Sequence, residues 1–548
     1  MPKFTIFFND QKLEFDHPVT ILDIVGNDKN IVCAYVNKRV RELTYSIDYD
    51  ATVVPLTCKD RDAKWPYESS LRFLIAMAMH NIYPNLEVRF SYNISRSIFM
   101  QILTPGVSSN GQMVIELEKE MKRLVELDLP LVRKIVSKDE AEKIFRASGD
   151  IDKAEIMKYR PEKTAHIYEC DGYKNYMYNR MVPSTGYIKK WSIRFYHPGI
   201  IIQYPRSEAD GEIPPFEDAP TFGKTLKRAH QFAITTNADT VVGINKHIEQ
   251  DGVIDFINLC EARHNQQICE IGEMIENDIE NIRLICIAGP SSSGKTTFSN
   301  KLRIELLSRG IKPIRISMDD YYLPRDLAPL DDEGKPDLES IKALDIALFN
   351  KNMADLISGM EVELPKFDFK IGKRVPGRVL RVPQDQPIII EGIHALNDVM
   401  TSSIPSHQKF KIFIAPQAQI SIDNHNPLSL TDLRLLRRMV RDYQFRNASA
   451  IDTISMWPSV RNGEFKWIYN TQEGANYVFN SLLSYELSIM KKYAMPLLEK
   501  IDISSPHFPI AERLIRMLKF FIDMPDDWVP CNSLIREFIG GSCFEGMD

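Results

Sequence analysis

Leu284-Ile285-Cys286-Ile287-Ala288 runs into Gly289-Pro290-Ser291-Ser292-Ser293-Gly294-Lys295-Thr296-Thr297. An apolar run of that length reads as a buried strand. The next eight residues fit G-x-x-x-x-G-K-[ST] at each fixed position. From Thr297 to Ser308, Phe298, Leu302, Ile304 and Leu306 recur at helical spacing. Strand, glycine loop and helix in this order form a phosphate cradle. The glycines let backbone N–H groups approach phosphate oxygens, and the helix N-terminus favours negative charge. Gly289, Pro290, Ser291, Ser292, Ser293, Gly294, Lys295, Thr296 and Thr297 are the candidate phosphate-binding residues. Lys295 would reach the β- and γ-phosphates, and Thr296 would hold Mg²⁺. The bland alternative is a glycine–serine turn that matches by chance, and the correct flanking elements argue against it. The loop implies a bound nucleoside triphosphate and leaves the reaction open.

The chain has 548 residues, too many for one hydrophobic core, so three or more domains are expected. Hydrophobic content of 44% and charged content of 26% are those of an ordinary globular protein. A net charge of −6 argues against a strongly basic nucleic-acid-binding body. The eight cysteines are scattered without a C-x-x-C pair, which points to reduced thiols rather than a disulfide framework or zinc cluster. No signal-peptide pattern opens the chain and no apolar stretch reaches membrane-spanning length. A cytoplasmic protein without membrane contact is expected.

Residues 1–60 look small and β-rich. Phe4–Phe8, an Asn9-Asp10 turn and Leu13–Phe15 suggest a hairpin. A short helix over Thr20–Val25 and strands at Ile31–Val36 and Thr52–Leu56 follow. This order resembles the ubiquitin-like TGS domain at the front of threonyl-tRNA synthetases. Residues 61–224 open with a helical pattern over Tyr67–Tyr83 and continue into the strand-rich stretch Tyr168–Tyr204. They resemble the editing-type domain that follows TGS in those enzymes, where two helix positions and two later ones converge as a metal cluster. Here those positions fall on Ser69, Phe73, Met177 and Met181, which are no zinc ligand set. The resemblance is to a scaffold that has lost its site. Ser207–Pro220 suits a surface loop, residues 225–280 a helical connector, and 281–505 the loop-bearing domain. The remainder, 506–548, holds an amphipathic helix, Ile510–Ile522, and a tail expected to fray near Gly540-Gly541.

Further carboxylates and arginines accompany the phosphate loop. Ile314–Ser317 is a strand that ends in Asp319 and Asp320, where a carboxylate could take a proton from an attacking hydroxyl. Pro387–Ile390 is a second buried strand, ending in Glu391, a candidate Mg²⁺ ligand. His394 suits a substrate contact or a structural hydrogen bond equally. Arg434, Arg437, Arg438 and Arg441 fall on one helical face, with Arg446 beyond, as a solvated basic face or a lid that neutralises phosphoryl charge. The loop, Ser317–Tyr322, Pro365–Phe369, Glu391-Gly392-Ile393 and the arginine helix follow the order of uridine–cytidine kinases, and residues 284–505 resemble that family. Phosphoribulokinases share part of the pattern.

The resemblance implies that Asp319 is the general base for a nucleoside 5′-hydroxyl, with Lys295, Arg441 and Arg446 stabilising charge. It implies Thr296 and Glu391 as Mg²⁺ ligands, and Tyr322, Asp337 or Glu339, Phe367, Arg374 and Arg438 around the substrate. Phe367 and Gly372 replace the tyrosine and histidine of the family's pyrimidine pocket, so the base preference is open. The expected class is α/β and multidomain: a β-grasp domain, an α+β synthetase-like domain and a kinase domain with a mainly parallel sheet. The expected activity is ATP- and Mg²⁺-dependent phosphorylation of a nucleoside, uridine or cytidine first, in a homo-oligomer. The alternatives are a sugar-phosphate kinase and a nucleotide-gated RNA-binding or regulatory protein.

Overall fold

The structure is a computed structural model that describes residues 3–91, 95–330, 334, 336–368, 371–417 and 420–544. Phe369 and part of the irregular stretch 331–337 lie outside the described residues.

The first sheet has the order Gln11–Phe15, Phe4–Phe8, Ala51–Thr57, Ile31–Val36, Arg39–Arg41. Phe4–Phe8 and Ala51–Thr57 pair in parallel and the neighbouring pairs are antiparallel. The short helix Ile21–Val25 starts at a capping box between Thr20 and Asp23. The long helix Lys64–Ile82 follows, buried along most of its length. A four-stranded and a three-stranded antiparallel sheet complete the front half. Ser69, Phe73, Met177 and Met181 are all buried, the last three within one hydrophobic cluster. Where a metal cluster would need polar ligands, this chain has packed a core.

The back half is built on a five-stranded parallel sheet. Its strands in chain order are β1 (Leu284–Ala288), β2 (Ile314–Ser317), β3 (Ile388–Glu391), β4 (Lys409–Ala415) and β5 (Tyr477–Asn480), in the spatial order β2-β3-β1-β4-β5. β1 is buried at all five positions, as expected of a strand covered on both faces. The helices Lys295–Ser308 and Val253–Glu276 pack against one another beside it. The order places β1 and β3 side by side at the sheet centre, so the loop after β1 and Glu391 at the end of β3 meet. Ligands of open α/β sheets gather at such carboxyl ends.

The two halves are joined by side chains. After β4 the chain runs through Ser421–Asn426, all buried, into the synthetase-like half. There Arg89 Nε donates to Asn424 Oδ1 at 2.6 Å and Tyr178 N to Asn426 Oδ1 at 2.8 Å. Asn175 Nδ2 and His425 Nδ1 lie 2.8 Å apart, and the rings of Phe90 and His425 pack together. This loop leads within a few residues into the arginine helix Leu430–Phe445.

That helix divides its arginines differently from a single solvated face. Arg434 pairs with Glu464, and Arg437 donates from Nε to Glu486 Oε1 at 2.8 Å; all four groups are buried. Arg437 also donates to the carbonyl of Ser481 at 2.7 Å. Residues 533–540 are packed rather than frayed: Leu534 and Phe538 are buried, and Arg437 lies over the Phe538 ring at 5.1 Å. Deleting one partner of the Arg437–Glu486 pair leaves a buried charge uncompensated. Glu486→Ala is expected to cost about 3–5 kcal/mol in urea unfolding. A loss below about 1 kcal/mol, the scale of an exposed pair, would contradict this account.

Candidate functional site

The site is assembled from the ends of β1, β2 and β3. Gly289 cannot carry a side chain, because a Cβ there would lie 2.0 Å from the Ile414 carbonyl of β4. Gly294 has φ +90° and Ser292 φ +59°, left-handed backbone that turns successive N–H groups inward. Helical residues begin at Lys295, so its first-turn N–H groups have no carbonyl partner within the helix. Lys295 Nζ donates to the carbonyls of Gly289 and Pro290 at 3.0 and 3.2 Å, which folds it over the loop. Thr296 is exposed at the loop's rim, and Ser293 and Thr297 are buried.

Asp319 stands two residues beyond the end of β2 as part of a single 3₁₀ turn. Its N–H is held by Ser317 Oγ, which also donates to Glu391 Oε1 at 3.2 Å. Gly392 after Glu391 makes room for Met318, whose Cβ would be 2.8 Å from any added Cβ. Burial pushes the Asp319 carboxyl up, against the opposing pull of Lys295, Arg446 and Arg441. Glu391 is pushed up to about 7, by burial first and by the Asp319 charge second. Burial lowers Lys295, and the Glu391 and Asp319 charges oppose that shift. Two desolvated carboxylates that repel one another beside an exposed threonine hydroxyl are a donor set a hard cation would relieve. The residues present therefore fit Mg²⁺.

Among the predicted substrate residues, Tyr322 has Phe367 beside it. Its ring is 5.8 Å from Phe367, and its hydroxyl donates to the Leu338 carbonyl at 3.1 Å. Phe367 is buried and its N–H donates to Asp320 Oδ1 at 3.1 Å, so Asp320 anchors this strand. Asp337 accepts the Glu339 N–H at 3.1 Å and shapes the turn that presents Glu339. Glu339 is pushed up to about 7, by burial first and by Glu464 second, with Arg438 pulling the other way. His394 Nε2 donates to the Glu339 carbonyl at 2.9 Å, which gives it a structural partner. Arg374 pairs with Asp345 at 2.9 Å. Gly372 has φ +68°, and the Arg325 side chain fills the space where a Cβ would stand. Arg438 reaches the phosphate loop itself, donating to Ser291 Oγ at 2.9 Å. Arg441 pairs with Asp442 at 2.7 Å, while Arg446 lies 3.7 Å from the same carboxylate. A cavity of about 1090 Å³ opens on Thr296, Asp319, Asp320, Phe367 and Glu391.

Sequence reasoning missed four contributors. Ser317 holds Glu391, and Asp345 holds Arg374. Asp345 also caps the next helix through Leu348 N, and an Asp just before the apolar run at Ile346 is a signal that could have found it. Glu537 and Leu534 carried no signal. Glu537 Oε2 accepts the Thr297 N–H at 3.0 Å from 240 positions away, and Leu534 lies against Gly294. A carboxylate of the chain itself thus occupies a first-turn donor of the phosphate loop.

Residues 284–488 match the Phosphoribulokinase / Uridine kinase family. This segment is a kinase domain of that family, with a nucleotide-binding P-loop. The front half is similar to threonine–tRNA ligases. The relative from Carboxydothermus hydrogenoformans is 27% identical over 193 residues, 34% of this chain and 30% of the ligase. That from Listeria monocytogenes serotype 4a is 30% identical over 186 residues, 33% of this chain and 29% of the ligase. The chain thus spans about a third of the length of these curated relatives. Among solved structures, a putative fructose transport system kinase from Silicibacter sp. TM1040 overlaps 41% of this chain and 98% of its own, at 17% identity and a TM-score of 0.27. A possible uridine kinase from Bacillus stearothermophilus overlaps 36% of this chain and 89% of its own, at 17% identity and a TM-score of 0.25.

The raised carboxyls set a pH dependence. Folded Glu391 and Glu339 titrate near 7 against an ordinary value of 4.5, so between those values the folded state holds protons the unfolded chain has released. Their contribution to stability therefore falls as pH rises from about 4.5 to about 7. Urea unfolding without ligand is expected to show a more gently falling stability in Glu391→Gln than in the parent across that window. Identical pH profiles for the two proteins would contradict the assignment.

Proposed function

We propose that the protein is an ATP-dependent kinase that transfers the γ-phosphoryl group to the 5′-hydroxyl of a nucleoside, with uridine or cytidine as the first acceptor. The observation that carries the reading is the meeting of Asp319, Glu391 and the P-loop Lys295 at one end of a parallel sheet. Asp319 accepts the hydroxyl proton as the oxygen–phosphorus bond forms and the bond to the ADP leaving group breaks. Burial, which pushes the Asp319 carboxyl up, makes it a stronger proton acceptor than a solvated aspartate. Lys295, Arg441 and Arg446 stabilise charge on the transferred group, and Arg438 bridges the P-loop and the acceptor side. Mg²⁺ held by Thr296 and Glu391 would neutralise phosphate oxygens when bound. Tyr322, Phe367 and Glu339 would take the nucleoside, with Glu339 as the ribose acceptor and Asp337 as its support.

A second reading rests on one observation. Arg303, Arg315 and Arg378 line the same cavity as Asp319, and an acceptor already carrying a phosphate would find cations there. A sugar phosphate is the class of acceptor that this favours.

The test is ATP-dependent product formation with uridine, cytidine, adenosine, guanosine, inosine, thymidine and ribulose 5-phosphate. A nucleoside monophosphate is expected, with Asp319→Asn slower by about 10²–10⁴-fold. A bisphosphate from ribulose 5-phosphate alone would move the reading to the sugar-phosphate class. No product from any acceptor, with ATP still bound, would reject both readings and turn attention to the synthetase-like half and RNA.

A further inference from the structure

The exposed cysteines are Cys269, Cys531 and Cys543, and two of them are neighbours. The Cys543 N–H donates to the Cys531 carbonyl at 3.0 Å, so the main chains touch where the segment 531–543 closes on itself. The Cys543 thiol is pushed up, by burial first and by its hydrogen bond with the Cys531 thiol second. A main-chain hydrogen bond between the two residues brings their Cα atoms into the range a disulfide spans.

What lies between them gives the pair its interest. Ser533 donates to Glu261 at 2.5 Å and shares that carboxylate with Tyr485, which anchors the start of the loop in the core. Leu534 presses on Gly294, Glu537 takes the Thr297 N–H, and Phe538 stacks under Arg437. Gly540, at φ +89°, turns the chain beside Gln444 and Phe445 of the arginine helix. The loop bounded by the two cysteines is thus the piece of the chain that holds a carboxylate at the phosphate-binding helix end.

We propose that Cys531 and Cys543 form a reversible disulfide that locks the segment 531–543 onto the P-loop and weakens nucleotide binding. The oxidant is a low-molecular-weight disulfide. The Cys531 thiolate attacks one of its sulfurs, forms a mixed disulfide and releases one thiolate. The Cys543 thiolate then attacks the Cys531 sulfur and releases the second. Two protein thiols lose two electrons and two protons, and the small disulfide becomes two thiols. In the reduced chain the loop can lift and withdraw Glu537, leaving the Thr297 N–H for a phosphate oxygen. In the oxidised chain the closed loop raises the effective concentration of that carboxylate, and its charge opposes the incoming triphosphate. The effect on nucleotide rests on the P-loop being the ATP site; the disulfide itself does not.

The experiment treats the full chain with oxidised glutathione, then with dithiothreitol. Mass spectrometry of the intact protein is expected to show loss of two hydrogens, reversed on reduction and absent in Cys531→Ser and Cys543→Ser. Amide hydrogen exchange in the first turn after Gly294 is expected to slow on oxidation, a readout that needs no nucleotide. The Kd for Mg·ATP is expected to rise about tenfold on oxidation, and to change little in the two serine variants or in Glu537→Gln. Glutathione left attached to one thiol, a disulfide between two chains, or an intrachain bond that alters neither exchange nor the Kd would each overturn the proposal. Exchange that slows on oxidation, in a protein that binds no ATP in either state, would support the lock and reject the nucleotide reading instead.

Discussion

A helix begins at Lys295 with N–H groups that no carbonyl of its own can accept, and the kinase half is organised around that unmet demand. β1 delivers the chain to the point, Gly289 lets it pass under β4, and Gly294 and Ser292 turn the donors inward. Lys295 folds over the loop, Arg438 reaches it from the arginine helix, and Glu537 occupies one of its donors. The sheet order then puts Glu391 on the neighbouring strand and Asp319 on the next. Each of these groups is costly to bury alone. Together they form a cluster of two cations and three carboxylates whose electrostatics a phosphate and a cation would shift.

Much of this was legible in the sequence because the relevant signals are local. The P-loop, the apolar strands ending in Asp319 and Glu391, and the arginine spacing each depend on residues within a few positions of one another. The first hairpin, the helix at Ile21–Val25 and the strands of the β-grasp sheet were legible for the same reason. What could not be read was long-range. The spacing of Arg434 and Arg437 looks like a solvated face, and only the positions of Glu464 and Glu486 withdraw them into the core. The terminal segment, with its paired glycines, reads as a frayed end. Its packing depends on Tyr485, Glu261 and the P-loop, which no local pattern connects to it.

The front half packs against the loop that leads into the arginine helix. Phe73, Met177 and Met181 have become core, and the loop Ser421–Asn426 buries its polar side chains against Arg89, Asn175 and Tyr178. Because that loop leads directly into the arginine helix, the packing of the front half constrains the helix that carries Arg438 and Arg441. Arg513 of the C-terminal segment adds a further tie, lying over the Trp65 ring of the front half at 4.8 Å and pairing with Asp432 of the arginine helix at 2.8 Å. A rigid approach to a charge-bearing helix is a physical reason to keep a synthetase-like fold beside it.

The central claim is that the loop at Gly289–Thr296 binds a nucleoside triphosphate through Lys295 and a metal ion. Calorimetric titration of ATP, with and without Mg²⁺, into the reduced chain and into Lys295→Ala tests it most directly. The account predicts Mg²⁺-dependent binding that weakens by about tenfold or more in the variant, the loss of ~1.4 kcal/mol or more of charge-assisted contact. Equal affinity in both proteins, or affinity indifferent to Mg²⁺, would contradict it.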